Sequence, residues 1–162
     1  MAGANEKIGQ VDPPERVLIE ENQGPVVIEV SDSKAVRIRK NETGRIALKN
    51  LESAVIEENV LRQGAGIEIR ASRDVIVQRN VVEGSMFSGG ITVLLENSLL
   101  RPTVIIQDNH LLRNKFGIVT ESVDYITVCK GNEIKENQVD YGVGTLFAAT
   151  PSPALKQKCE GN

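Results

Sequence analysis

Ser72–Val93, SRDVIVQRNVVEGSMFSGGITV, holds three short strand-like pieces: Val75-Ile76-Val77, Val81-Val82, and a third that opens at Gly90-Ile91. Asn80 closes the first piece, and a Gly-rich turn separates the second from the third. β-Branched runs bounded by Asn, Gly and Ser read as strands joined by turns. The stretch decides the fold because it recurs. Asn ends the equivalent piece at Asn22 (VLIEEN), Asn41 (VRIRKN), Asn59 (AVIEEN), Asn80 (VIVQRN), Asn109 (VIIQDN) and Asn132 (ITVCKGN), in steps of 19, 18, 21, 29 and 23 residues. Between these lies another strand, often opened by Gly: Val26-Val27-Ile28, Ile46-Ala47-Leu48, Gly66-Ile67-Glu68-Ile69, Gly90-Ile91-Thr92-Val93, Gly117-Ile118-Val119-Thr120 and Gly142-Val143-Gly144-Thr145. Self-similarity at a period of roughly 20–50 residues marks a solenoid. The pieces alternate with period 2 and no window sustains a 3.6-residue apolar period, so the repeat unit is β.

The pattern I-x-I-x-x-N-x-I, a loop, then G-I-x-I is carried here by Val75, Val77, Asn80, Val82, Gly90, Ile91 and Val93. It resembles the right-handed parallel β-helix repeat of the pectin-lyase-like superfamily, over about Val17 to Phe147. The resemblance implies an all-β, right-handed parallel β-helix (solenoid) of about six rungs with an Asn ladder. The physics agrees with it. One rung cannot bury its inward faces alone, whereas stacked rungs pile Val, Ile and Leu into a continuous core. Asn tolerates the left-handed geometry of a bend, and its amide can bond the Asn above and below. Six rungs at ~4.8 Å make a rod of roughly 25–30 Å.

At 162 residues the chain reads as one domain, with residues 1–16 a lead-in or N-terminal cap, 17–147 the β-helix and 148–162 a C-terminal tail. Hydrophobic residues make up 40%, enough for a core, and the net charge of −3 predicts no nucleic-acid footprint. No run of 18 apolar residues predicts a membrane span, and the start lacks the apolar run of a signal peptide. Cys129 and Cys159 lack metal spacing, so neither a metal nor a cofactor is expected. A Cys129–Cys159 bridge pinning the tail is one reading. An intracellular, cytoplasmic chain with free thiols is the favoured one, because such proteins rarely keep disulfides. Pro151 and Pro153 argue against a regular strand or helix in the tail, which is then either disordered or laid across the last rung, and no capping helix is evident. ITVCKGN carries one residue more than VIIQDN, which a bulge near Lys130-Gly131 would absorb. The two largest insertions are Glu83–Gly89 and Glu96–Thr103. They read as length drift in surface loops more readily than as a binding face.

Alternation assigns outward residues. On the Gly-Ile strand one outward file reads Val27, Ala47, Glu68, Thr92, Val119, Gly144, and the next reads Glu29, Lys49, Arg70, Leu94, Glu121, Leu146. Glycan-cleaving members of the superfamily commonly project their catalytic acids and bases from this sheet. The weak catalytic candidates here are Glu68, Arg70 and Lys49, grouped with Glu29. Alternating charges on neighbouring rungs are ordinary cross-strand pairing, and the sheet offers no Asp pair. His110 reads as outward and surface polar, with no Ser or Cys beside it. On the strand before the Asn ladder the outward file reads Leu18, Arg37, Val55, Ile76, Ile105. Val55, Ile76 and Ile105 form an apolar stripe of the kind that something packs on, either a partner or second copy, or the chain's own tail through Leu155 or its prolines. Sheet propensity by itself also favours Val and Ile there.

These observations favour a non-catalytic β-helix acting as a rigid protein-binding or structural module. Its partner would be another protein or a second copy, with no nucleic acid and no membrane. The alternative is a carbohydrate-active β-helix: a lyase, hydrolase or binder of acidic polysaccharide that uses Glu68, Arg70 and Lys49. The absence of Trp weighs against it, because sugar faces dock on aromatic rings. End-to-end stacking into a homopolymer is a third class.

Overall fold

The chain bends at the residue before each ladder Asn. Glu21, Lys40, Glu58, Arg79 and Asp108 stand at φ 53–57°, and Gly131 at φ 64°. The left-handed conformation therefore sits one residue earlier than expected. Asn is freed for a different task, and its side chain turns into the corner. In the computed structural model, which describes residues 16–161, Asn41, Asn59, Asn80 and Asn109 are buried. Each ladder Asn donates both its backbone N–H and its Nδ2 to Oδ1 of the next, at 2.9–3.0 Å, from Asn22 through to Asn132. The ladder satisfies backbone groups that a buried corner would otherwise orphan.

The rungs follow in order. The first holds β1 (Val17–Glu20) and β2 (Val27–Ser31); the second β3 (Val36–Arg39) and β4 (Glu42–Lys49); the third β5 (Ala54–Glu57) and β6 (Val60–Arg70). The fourth holds β7 (Val75–Gln78), β8 (Val81–Glu83) and β9 (Gly89–Leu94). The fifth holds β10 (Val104–Gln107), β11 (His110–Leu112) and β12 (Phe116–Thr120), and the sixth β13 (Ile126–Lys130), β14 (Glu133–Lys135) and β15 (Val139–Gly144). A short β16 (Ala149–Pro151) and a helix, α1 (Pro153–Glu160), complete the chain. β1-β3-β5-β7-β10-β13 form one six-stranded sheet, and the remaining strands form a second. All rung-to-rung pairing is parallel; only β15–β16 is antiparallel. Inward Ile38, Ile56, Val77 and Ile106 stack down one sheet, facing Ile46, Ile67, Ile91 and Ile118 of the other.

Several expectations require correction. The extra residue of the sixth rung is Thr127, opposite the step between Val104 and Ile105, and not near Lys130-Gly131. The bulge thus lies before Cys129, which points inward and is fully buried. The tail is not irregular. Pro151 ends an edge strand, and Pro153 opens α1 in the first turn, where its missing N–H costs nothing. Ser152 caps α1 by accepting from Leu155 N at 3.2 Å. Leu155 and Cys159 enter the core beside Tyr125, Ile126 and Tyr141. Cys159 is joined to Cys129 by a disulfide, so the favoured reading of two free thiols is overturned. α1 thereby closes the C-terminal end of the core, and β16 covers the edge of β15. This leaves Leu155 unable to cover the apolar stripe. The expected lead-in or cap over 1–16 lies, Arg16 excepted, outside the described residues.

Candidate functional site

The weak catalytic candidates lie together on the outer face of β4 and β6. The register differs from expectation at both ends of the file. Glu29, not Val27, neighbours Ala47, which neighbours Glu68 and then Thr92; Ser31, not Glu29, neighbours Lys49. At the far end Gly142, not Gly144, neighbours Val119. Both slips are by two residues, which preserves the face because strand side chains alternate with period 2.

Glu68 is 1% exposed, so it does not lie on a solvated sheet as expected. Small neighbours leave room above it, and two guanidinium groups close over it. Arg45 Nη2 reaches Glu68 Oε2 at 2.9 Å, and Arg70 takes Oε1. Arg45 also holds Glu29 at 2.9 Å; Arg70 holds Glu96 at 2.7 Å, which Lys49 approaches at 3.5 Å. Arg45 and Glu96 were invisible to the file reading, since one lies two residues along the strand and the other on the following loop. Burial disfavours the charged Arg70, but the Glu68 and Glu96 carboxylates outweigh it and raise its pKa. Burial likewise pushes Glu96 up, and Arg70 and Lys49 more than reverse that, leaving it below the ordinary carboxylate range. A groove of ≈ 470 Å³ opens beside this network, with Ala47 on its wall and Arg45, Lys49, Arg70, Glu29 and Glu96 around it. Three cations and three carboxylates balance, and both Glu68 oxygens are occupied. The arrangement neutralises itself and leaves Glu68 without a free oxygen for proton transfer.

The opposite sheet carries the other candidates. Val55, Ile76 and Ile105 are direct neighbours on its outer face, and the file runs on to Val128, which the bulge hid from the sequence. All four are half-buried, and Leu18 at the start of the file is 54% exposed. The polar file beside it is Glu20, Arg39, Glu57, Gln78, Gln107, Lys130. Glu57 is 3% exposed and accepts from Arg37, from Gln78 Nε2 at 2.9 Å and from Arg79 at 2.7 Å. Burial raises the Glu57 pKa, and the hydrogen bonds from Gln78 and Arg37 with the charges of Arg37 and Arg79 bring it below the ordinary value. Gln107 donates to Gln78 at 2.8 Å, so the polar border is tied from rung to rung. A second, shorter ladder escaped the sequence reading: Ser85 N donates to Asn114 Oδ1 at 2.8 Å and Asn114 N to Asn137 Oδ1 at 2.9 Å.

Residues 14–151 match the family model described as "NosD: Periplasmic copper-binding protein (NosD)". The chain belongs to the NosD family. No curated protein and no solved structure matches it. The NosD family is periplasmic, which overturns the expected cytoplasmic location. The Cys129–Cys159 bridge accords with that correction, because disulfides persist where the surroundings are oxidising. The family description also names copper, whose sites draw on imidazole, thiolate and thioether donors. This NosD chain has one His, two Cys and two Met. His110 Nδ1 lies 2.6 Å from Glu133 Oε2 on an exposed surface, both cysteines are bridged, and Met86 stands out on the loop after β8. No group of three or more His, Cys, Asp and Glu among the described residues could hold a metal ion. The donor set of the described residues does not fit copper.

Proposed function

We propose that this NosD-family chain is a non-catalytic β-helix module that binds protein through the outer face of its six-stranded sheet. The observation that carries the reading is the unbroken run of Val55, Ile76, Ile105 and Val128 across four rungs, bordered by polar side chains fixed to one another. A flat face with an apolar centre and a polar rim suits recognition between proteins. The rigidity of the stacked rungs adds to it, since little ordering entropy is lost on docking. The carbohydrate-active alternative draws less support. Its candidate carboxylate, Glu68, is buried beneath two arginines, and the cations around the groove are each already paired with Glu29, Glu68 or Glu96. α1 and β16 standing over the last rung weigh against end-to-end stacking at that end.

The test is capture of partners by the native protein and by the Ile76→Asp/Ile105→Asp variant, with folding checked by circular dichroism. The reading expects captured protein to be lost with the variant. Unchanged capture would defeat it, as would activity on uronic-acid polymers that disappears on Glu68→Ala.

A further inference from the structure

We propose that this face docks on a second copy of the chain, two-fold and antiparallel, with the first rung of one copy over the sixth rung of the other. The inference rests on the protein-binding reading and names its partner. A two-fold axis along the strands, between the third and fourth rungs, lays each outward file on itself in reverse order. At the axis Val55 meets Ile76 of the second copy, and at each end Leu18 meets Val128. In the polar file Glu20 meets Lys130 at both ends, Arg39 meets Gln107 and Glu57 meets Gln78. Opposite charges face each other at both ends and no like charges are brought together. Arg39 holds only Oε2 of Glu20, and Lys130 is exposed. The parallel alternative, with the axis along the solenoid, would set Arg37 against Arg37 of the second copy, between Leu18 and Val55 of the apolar file. Opposed like charges disfavour that arrangement.

The area sets the strength. Six strands ~4.8 Å apart and about four residues long make a face of roughly 29 by 13 Å, or about 400 Å² per copy. Stable complexes bury roughly 1,200–2,000 Å² in total, so this contact belongs to the weak, rapidly exchanging class.

Sedimentation equilibrium tests the proposal, over about 10 µM to about 1 mM, where contacts of this size dissociate. The wild type should self-associate reversibly, and Ile76→Asp should abolish association. Glu20→Lys and Lys130→Glu should each weaken it at least about fivefold, while the double variant regains wild-type affinity to within about twofold. Lys130→Glu should keep the wild-type thermal midpoint, while Glu20→Lys sets a second cation beside Arg39 and should lower it slightly without unfolding the rungs. A wild type that stays monomeric throughout overturns the proposal. So does an association that Ile76→Asp leaves unchanged, or a double variant no better than the single ones. A monomer that still captures a different protein through Ile76 and Ile105 overturns self-docking and leaves the protein-binding reading standing.

Discussion

Removing the Cys129–Cys159 bridge should cost this protein about a third of the stability a domain of its size usually has, and it should do so from one end. The bridge closes a loop with a sequence separation of 30 residues. Loop-closure entropy in the unfolded chain makes that worth about 3.6 kcal/mol, against a typical total of roughly 5–15 kcal/mol. The loss is local first. α1 has eight residues, too few to be helical alone, and buries only Leu155 and Cys159. Burial of Leu155 contributes about 2 kcal/mol, which does not offset the ordering of eight residues. Without the bridge α1 should leave the end of the core before the rungs unfold. The experiment compares wild type, reduced wild type and Cys129→Ala/Cys159→Ala by urea titration, with trypsin probing Lys156 and Lys158. Both perturbed forms should lose about 3–4 kcal/mol, and the tail should be cut ahead of the rungs. A loss under about 1 kcal/mol with an uncut tail would show that packing alone holds α1, and the chain-entropy reasoning would fall.

Three further outcomes are expected. Asn80→Ala removes an amide that accepts from Asn59 and donates to Ile56 O, Gln78 O and Asn109 Oδ1. It should cost about 3–5 kcal/mol in urea unfolding because buried groups lose their partners, while Asn22→Ala at the exposed end should cost under about 1 kcal/mol. Glu68→Gln leaves Arg45 and Arg70 without their shared carboxylate and should cost about 3 kcal/mol. Glu29→Gln, at a 63% exposed side chain, should stay within about 0.5 kcal/mol, and equal losses in the two would refute the special status of Glu68. Because Glu57 has its pKa lowered in the folded state from the unperturbed 4.5, its contribution is present above that value. As pH falls below 4.5 the unfolded chain takes up the proton first, so stability drops. Glu57→Gln should flatten that acid limb in thermal melts, and an unchanged limb would assign it to other carboxylates.

The corner and core residues were legible because a solenoid repeats its own constraints. Asn41, Asn59, Asn80 and Asn109 must meet one another, and alternation fixes which of Val75, Ile76 and Val77 turns inward. The apolar file was legible by the same rule as far as Ile105. Its continuation at Val128 was hidden by Thr127, since one inserted residue inverts every later assignment until the bulge is placed. The ionic network was half legible. Glu68 and Arg70 share a strand, but Glu96 reaches them from a loop whose path no periodicity describes. The cap was read wrongly because two prolines were weighed as breakers, when Pro153 stands where a helix begins.

Local pattern alone therefore determined that the chain coils into β rungs, which residues fill the interior of its first five rungs and where its asparagines align. These follow from period and turn chemistry, which act between near neighbours. Tertiary structure alone decided that Glu68 is sealed under two arginines, that Cys129 faces Cys159, and that α1 closes the core. Each of these joins residues whose separation in sequence carries no period, so only the packed rungs bring them within reach of one another.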